Sequence, residues 1–168
     1  EGAGYVGRHD RDFLTVGDPW FRGMDLIAGT DGGVFIADWS DTGECHEHDG
    51  VHRSSGRIYK VTYGEPKPPA FGDLTKLSDE KLVPLLFEKN EWVARHARQV
   101  FADRFVETGK TPGIADEVRR AFANEQTTPQ KLKALWALDA IGALSSDWLL
   151  QQTHDPDEYI RSWAVRLL

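Results

Sequence analysis

The stretch Glu91-Trp92-Val93-Ala94-Arg95-His96-Ala97-Arg98-Gln99-Val100-Phe101 decides the fold of the second half of this chain. Trp92, Val93, His96, Ala97, Val100 and Phe101 run i, i+1, i+4, i+5, i+8, i+9, which is one face of an α-helix. Tyr159, Ile160, Trp163, Ala164, Leu167 and Leu168 repeat that spacing 67 residues later, with Glu158 standing where Glu91 stands. Between them, Leu132, Trp136, Ala137, Ala140 and Ile141 give the same stripe, with Lys133 as its one exception. The spacing predicts inner helices over about 91–106, 129–143 and 157–168, each preceded by a shorter one near 79–89, 113–124 and 146–152. Thr111-Pro112, Thr128-Pro129 and Asp155-Pro156 read as helix starts, a capping side chain before a proline whose missing N–H costs nothing there. Pro84 falls inside the first predicted helix and should kink it or move its start. Paired helices recurring every ~33 residues describe an α-solenoid of HEAT-like pairs.

Toward the N-terminus the pattern changes at Gly64-Glu65-Pro66-Lys67-Pro68-Pro69, a proline-rich spacer of the semi-rigid kind that marks boundaries. Of the 16 glycines, 12 lie at or before Gly64, so turns concentrate in the first half. There, Met24–Ala28 and Val34–Trp39 flank Gly29-Thr30-Asp31-Gly32-Gly33, a hairpin signal. Arg57–Tyr63 alternates as a third strand, and Phe13–Val16 reads as a candidate fourth. So few strands leave open edges and a thin core, and they need neighbours. The expected fold class is α+β in segregated halves: antiparallel β over 1–65, a linker over 66–73, and a helical solenoid of about three pairs over 74–168.

The 168 residues carry 20 Lys+Arg against 27 Asp+Glu, a net charge of −7, with 40% apolar content and 18 aromatics. A core can be buried, and disorder is excluded. The acidic balance, pI near 5.3, argues against a general nucleic-acid or anionic-membrane binder. No apolar run reaches the ~20 residues a membrane-spanning helix needs. The chain opens at Glu1 without a signal-like segment and closes on an apolar helix face at Leu168, and it is expected to be a piece of something longer.

Three runs, Asp18-Pro19-Trp20-Phe21-Arg22-Gly23-Met24-Asp25-Leu26, Asp31-Gly32-Gly33-Val34-Phe35-Ile36-Ala37-Asp38-Trp39 and Ser55-Gly56-Arg57-Ile58-Tyr59-Lys60-Val61, together resemble the last blade of a quinoprotein sugar-dehydrogenase-like β-propeller. More specifically, the chain resembles the planctomycete-type membrane-bound dehydrogenase domain, in which a glucose/sorbosone-dehydrogenase-like propeller precedes HEAT-like repeats and a c-type cytochrome domain. The loop from Asp41 to Arg53 is part of that likeness. The resemblance implies a periplasmic or secreted parent oxidising a sugar or related alcohol, with pyrroloquinoline quinone (PQQ) as its cofactor and haem c in a domain outside this chain. One blade makes no ring, and the haem motif Cys-x-x-Cys-His is absent because Cys45 is the single cysteine. Gly23 also stands where the family commonly has proline. This fragment is expected not to turn over by itself. The alternative is a non-catalytic scaffold whose helical repeats bind a protein partner.

The candidate site residues divide between loop and strand. The loop 40–56 holds Cys45, His46, His48, Asp49 and His52, ligand types suited to zinc or another divalent metal, beside Arg53. A metal site, a haem or quinone contact through His46 and Arg53, and an ordinary polar loop all remain open. Arg22, entering the first strand, could hold an anionic quinone or a sugar oxygen bidentately, or pair with Asp18, Asp25 or Asp38. Asp38, with Trp39 after it, could contact the cofactor or tie a turn together. Arg95, Arg98, Arg104, Arg119, Arg120, Arg161 and Arg166 suggest either a face for acidic groups or a solvated helix surface. His96 reads as a core histidine, and Trp92, Trp136, Trp148 and Trp163 as inter-helix packing, each indole N–H finding an acceptor.

Overall fold

The computed structural model describes residues 7–40, 54–67, 71–125 and 127–168. It is a mixed α+β protein with its strands in the N-terminal half and its helices after them. These residues fall into two compact units, one within 8–67 and the other over 71–168.

The first unit is a meander of β1 (Gly23–Ala28), β2 (Val34–Asp38) and β3 (Arg57–Val61), antiparallel throughout and in the order β1-β2-β3. The Gly29–Gly33 turn is closed by Gly32 N–H donating to Gly29 O at 3.2 Å, and Gly32 lies at φ 80°, where an L side chain would be strained. Leu26 pairs with Ile36 and Ile36 with Tyr59, so these three share one face, while Ile27, Phe35 and Lys60 share the other. Ile36 is buried, yet Leu26 is 69% and Ile58 77% exposed, so the sheet carries uncovered apolar surface. Phe13–Val16 forms no strand: Phe13 is 87% exposed and finds no ladder to join.

The second unit comprises α1 (Asp79–Leu82), α2 (Glu91–Thr108), α3 (Ala115–Asn124), α4 (Thr128–Ala140), α5 (Ser146–Gln152) and α6 (Glu158–Leu167). Pro84 resolves the misfit the sequence posed. It ends α1 and opens a separate 3-10 turn, Pro84–Phe87, because a proline N has no hydrogen for the helical ladder. None of the three Thr/Asp-Pro side chains caps its helix: Thr128 is already the first residue of α4, and Thr111 and Asp155 precede α3 and α6. Thr111 donates to Gly142 O, Thr128 donates to Asp157, and Asp155 accepts from the amide of Asp157. Asp157 itself caps α6 through the amides of Tyr159 and Ile160.

The stripes face the core. Val93, Ala97, Val100 and Phe101 of α2 and Ile160 and Ala164 of α6 are buried, with Trp92, Trp136, Trp163 and Leu167 packed partly covered around them. Tyr159 and Leu168 lie exposed at the ends of their stripe. Helix α4 goes further, with Ala134, Leu135, Ala137 and Leu138 fully buried, and α2, α3 and α6 all pack on it. The exception on its stripe, Lys133, is also buried. Its ammonium donates to Glu88 O at 2.6 Å and pairs with Glu91 at 2.7 Å, fastening α4 to the start of α2. After α4, Gly142 N–H bonds Asp139 O and Ala143 N–H bonds Leu138 O, both at 2.9 Å, with Gly142 left-handed at φ 64°.

A Cβ at Gly142 would overlap the Phe105 ring, whereas Gly109, left-handed after α2, faces open space. Gly142→Ala should therefore cost about 2–4 kcal/mol and Gly109→Ala about 1–2 kcal/mol. Denaturant unfolding followed by far-ultraviolet circular dichroism checks this, and equal losses would contradict the packing described.

Candidate functional site

In the strand unit the predicted residues Arg22 and Asp38 meet, though not as two charges. Asp38 ends β2 with its side chain fully buried. Its Oδ1 accepts the amides of Arg22 at 2.7 Å and Ser40 at 2.9 Å, and its Oδ2 accepts Arg57 Nε at 2.7 Å. Arg57 Nη1 reaches on to Asp18 Oδ2 at 2.5 Å. Arg57 therefore clamps the turn before β1, the end of β2 and the start of β3. The Arg22 guanidinium donates instead to Pro19 O and Phe21 O, and it forms none of the expected pairs with Asp18, Asp25 or Asp38. Burial pulls the Asp38 pKa upward, but the amides of Arg22 and Ser40 and the Arg57 guanidinium outweigh it, leaving the carboxyl below its ordinary 3.8. Asp18 is lowered too, first by the Trp20 amide and then by Arg57.

Arg57 is the residue that sequence reasoning missed. Its role follows from register, because β3 pairs antiparallel with β2 and brings Arg57 directly opposite Asp38. Nothing in the residue types alone preferred Arg57 over Arg22 as the partner.

The proposed metal and cofactor residues Cys45, His46, His48, Asp49, His52 and Arg53 lie outside the described residues. Among the described residues, no three His, Cys, Asp or Glu side chains gather as a metal-holding group.

In the helical unit the arginines separate into distinct uses. Arg104 donates to Thr75 O at 2.9 Å and Leu77 O at 2.6 Å and pairs with Asp79 at 2.5 Å. Arg119 donates to Ala143 O, and Arg161 to Asp155 O and Pro156 O. These three close loop carbonyls. Arg95 and Arg98 do not. They line a groove of about 850 Å³ running over α2, α4 and α6, walled also by Gln99, Trp136, Asp139 and Trp163. The Arg98 guanidinium lies 5.3 Å from the Trp136 ring centre. Trp136 meets Trp163 edge to face at 5.1 Å, and Arg166 covers Trp163 at 4.9 Å.

Among the described residues no carboxylate lies within ion-pair distance of Arg95 or Arg98, and Glu91 on the same rim is held by Lys133. Burial first, and the like charge of Arg95 second, pull the Arg98 pKa below its ordinary value, against a smaller opposing effect of Glu91. Contrary to the sequence expectation, the Trp136 indole N–H is buried without an acceptor among the described residues. His96 stacks on Trp92 at 4.7 Å and is half-buried, at the edge of the core rather than within it. Comparison with protein-family models, curated proteins and solved structures found no match to this chain.

A carboxylate whose folded pKa is lowered adds stability above the unfolded value and loses it as pH falls through the folded one. Asp38→Asn should thus reduce hydrogen-exchange protection of the Arg22 and Ser40 amides at pH 7, and the deficit should shrink below about pH 4 as the native carboxyl protonates. A deficit of equal size at every pH would contradict the clamp.

Proposed function

We propose that this chain is a binding module: three HEAT-like helix pairs joined to a terminal propeller-type blade, with the groove over α2, α4 and α6 receiving a segment of a partner protein. The observation carrying this reading is the groove itself. It is open across three inner helices, floored by Trp136 and Trp163, and supplied with two arginines that form no ion pair among the described residues. Arginine and tryptophan in an open depression are the side chains that dominate protein recognition. The repeat reading is supported by the packing of α2 on α4 and α4 on α6, each preceded by a shorter element.

A second reading has one observation in its favour. The strand order β1-β2-β3 is that of a propeller-blade meander, which suits a quinoprotein dehydrogenase-like parent, periplasmic or secreted, acting on sugars or alcohols. In that parent PQQ would supply the redox chemistry and haem c would take the electrons. Asp38 does not fit a cofactor ligand, since both of its oxygens are engaged and its side chain is closed off. The blade here is then scaffold.

Selection of a random-peptide display library on the whole chain tests the binding reading. Enriched peptides should shift the amide resonances of Arg98, Trp136 and Trp163. Enrichment of none, or of peptides that leave those resonances unmoved, contradicts it. Dye reduction by the full-length parent with added PQQ, over a panel of sugars and alcohols, tests the second reading, and the 168-residue chain should show none.

A further inference from the structure

We propose that the groove is specific for an acidic protein segment, one or two of its carboxylates engaging Arg98 and Arg95 while an apolar side chain rests on Trp136 and Trp163. This rests on the binding reading above and names the chemistry of the partner. A guanidinium held over an indole by cation–π attraction still carries N–H donors, and these match the two oxygens of a carboxylate. Arg98 is partly buried, Arg95 repels it, and Glu91, which pairs with Lys133, offsets it only in part, so no carboxylate among the described residues closes on either arginine of the α2 wall. A carboxylate arriving there meets, at Arg98, a guanidinium that the fold has already partly desolvated.

The opposite wall limits the partner further. Asp139 on α4 and Glu91 at the start of α2 also line the groove and repel further acids, so the charges of the segment belong beside Arg95 and Arg98. Two interhelical steps of about 8–10 Å each span ~16–20 Å, the length of about five or six extended residues. A nucleic acid would offer the same negative charge but at every residue. The chain carries −7 overall, which opposes a polyanion and tolerates a short segment with a local acidic pair.

The test uses the whole chain and the sequences that the display selection recovers. Peptides enriched in Asp or Glu, whose affinity falls about 10-fold in Arg98→Gln at unchanged unfolding midpoint and falls again from 50 to 500 mM salt, are the expected result. Should Arg98→Gln fail to fold, exposed Arg95→Gln supplies the same comparison. Enriched peptides that lack acids, and that bind the glutamine variants equally, overturn the acidic specificity and leave the binding reading standing. No enrichment overturns both. Tighter binding of a 12-nucleotide oligothymidine than of any selected peptide also overturns the proposal.

Discussion

Helix α4 is buried on almost every side, and the helical half is organised by that constraint. Ala134, Leu135, Ala137 and Leu138 have no exposure, so this helix has no solvent-facing solution of its own and must be enclosed by others. Helices α2, α3 and α6 supply the enclosure. Lys133 survives in it by reaching an acceptor at each side of the α2 start. The enclosure is incomplete on the side where Trp136 and Ala140 lie, and there the gap between α2 and α6 becomes the groove.

Most of the helical half was legible because helices write their buried face into a 3.6-residue period. The matched stripes at Trp92 and Tyr159 gave α2 and α6 to within a few residues, and 146–152 agrees with α5 residue for residue. What resisted was local. The break at Pro84 depends on whether the following residues find carbonyls for a tighter turn, and the caps depend on which of two adjacent oxygens reaches an amide. In the strand half the hairpin and third strand were readable from alternation and glycine, while the reach from Arg57 to Asp38 depends on register. Register is a tertiary property, so residue types alone favoured the nearer arginine.

The arginines tell a similar story. Seven of them on helices read as one charged surface, yet Arg104, Arg119 and Arg161 each hold backbone carbonyls at loop ends. Carbonyls that helix termini leave without partners need donors, and a long guanidinium supplies several at once. Subtracting these leaves Arg95, Arg98, Arg120 and Arg166, of which Arg166 covers Trp163 and only Arg95 and Arg98 line the groove. The functional reading follows from that subtraction rather than from charge count.

The most direct measurement is the Nε–H resonance of Arg98 in nitrogen-15 spectra of the whole chain, followed as a selected acidic peptide is added. The account predicts a saturable downfield shift and slowed solvent exchange of that proton, as a carboxylate closes on the guanidinium edge. A peptide that binds tightly while the Arg98 resonance stays unmoved would contradict it.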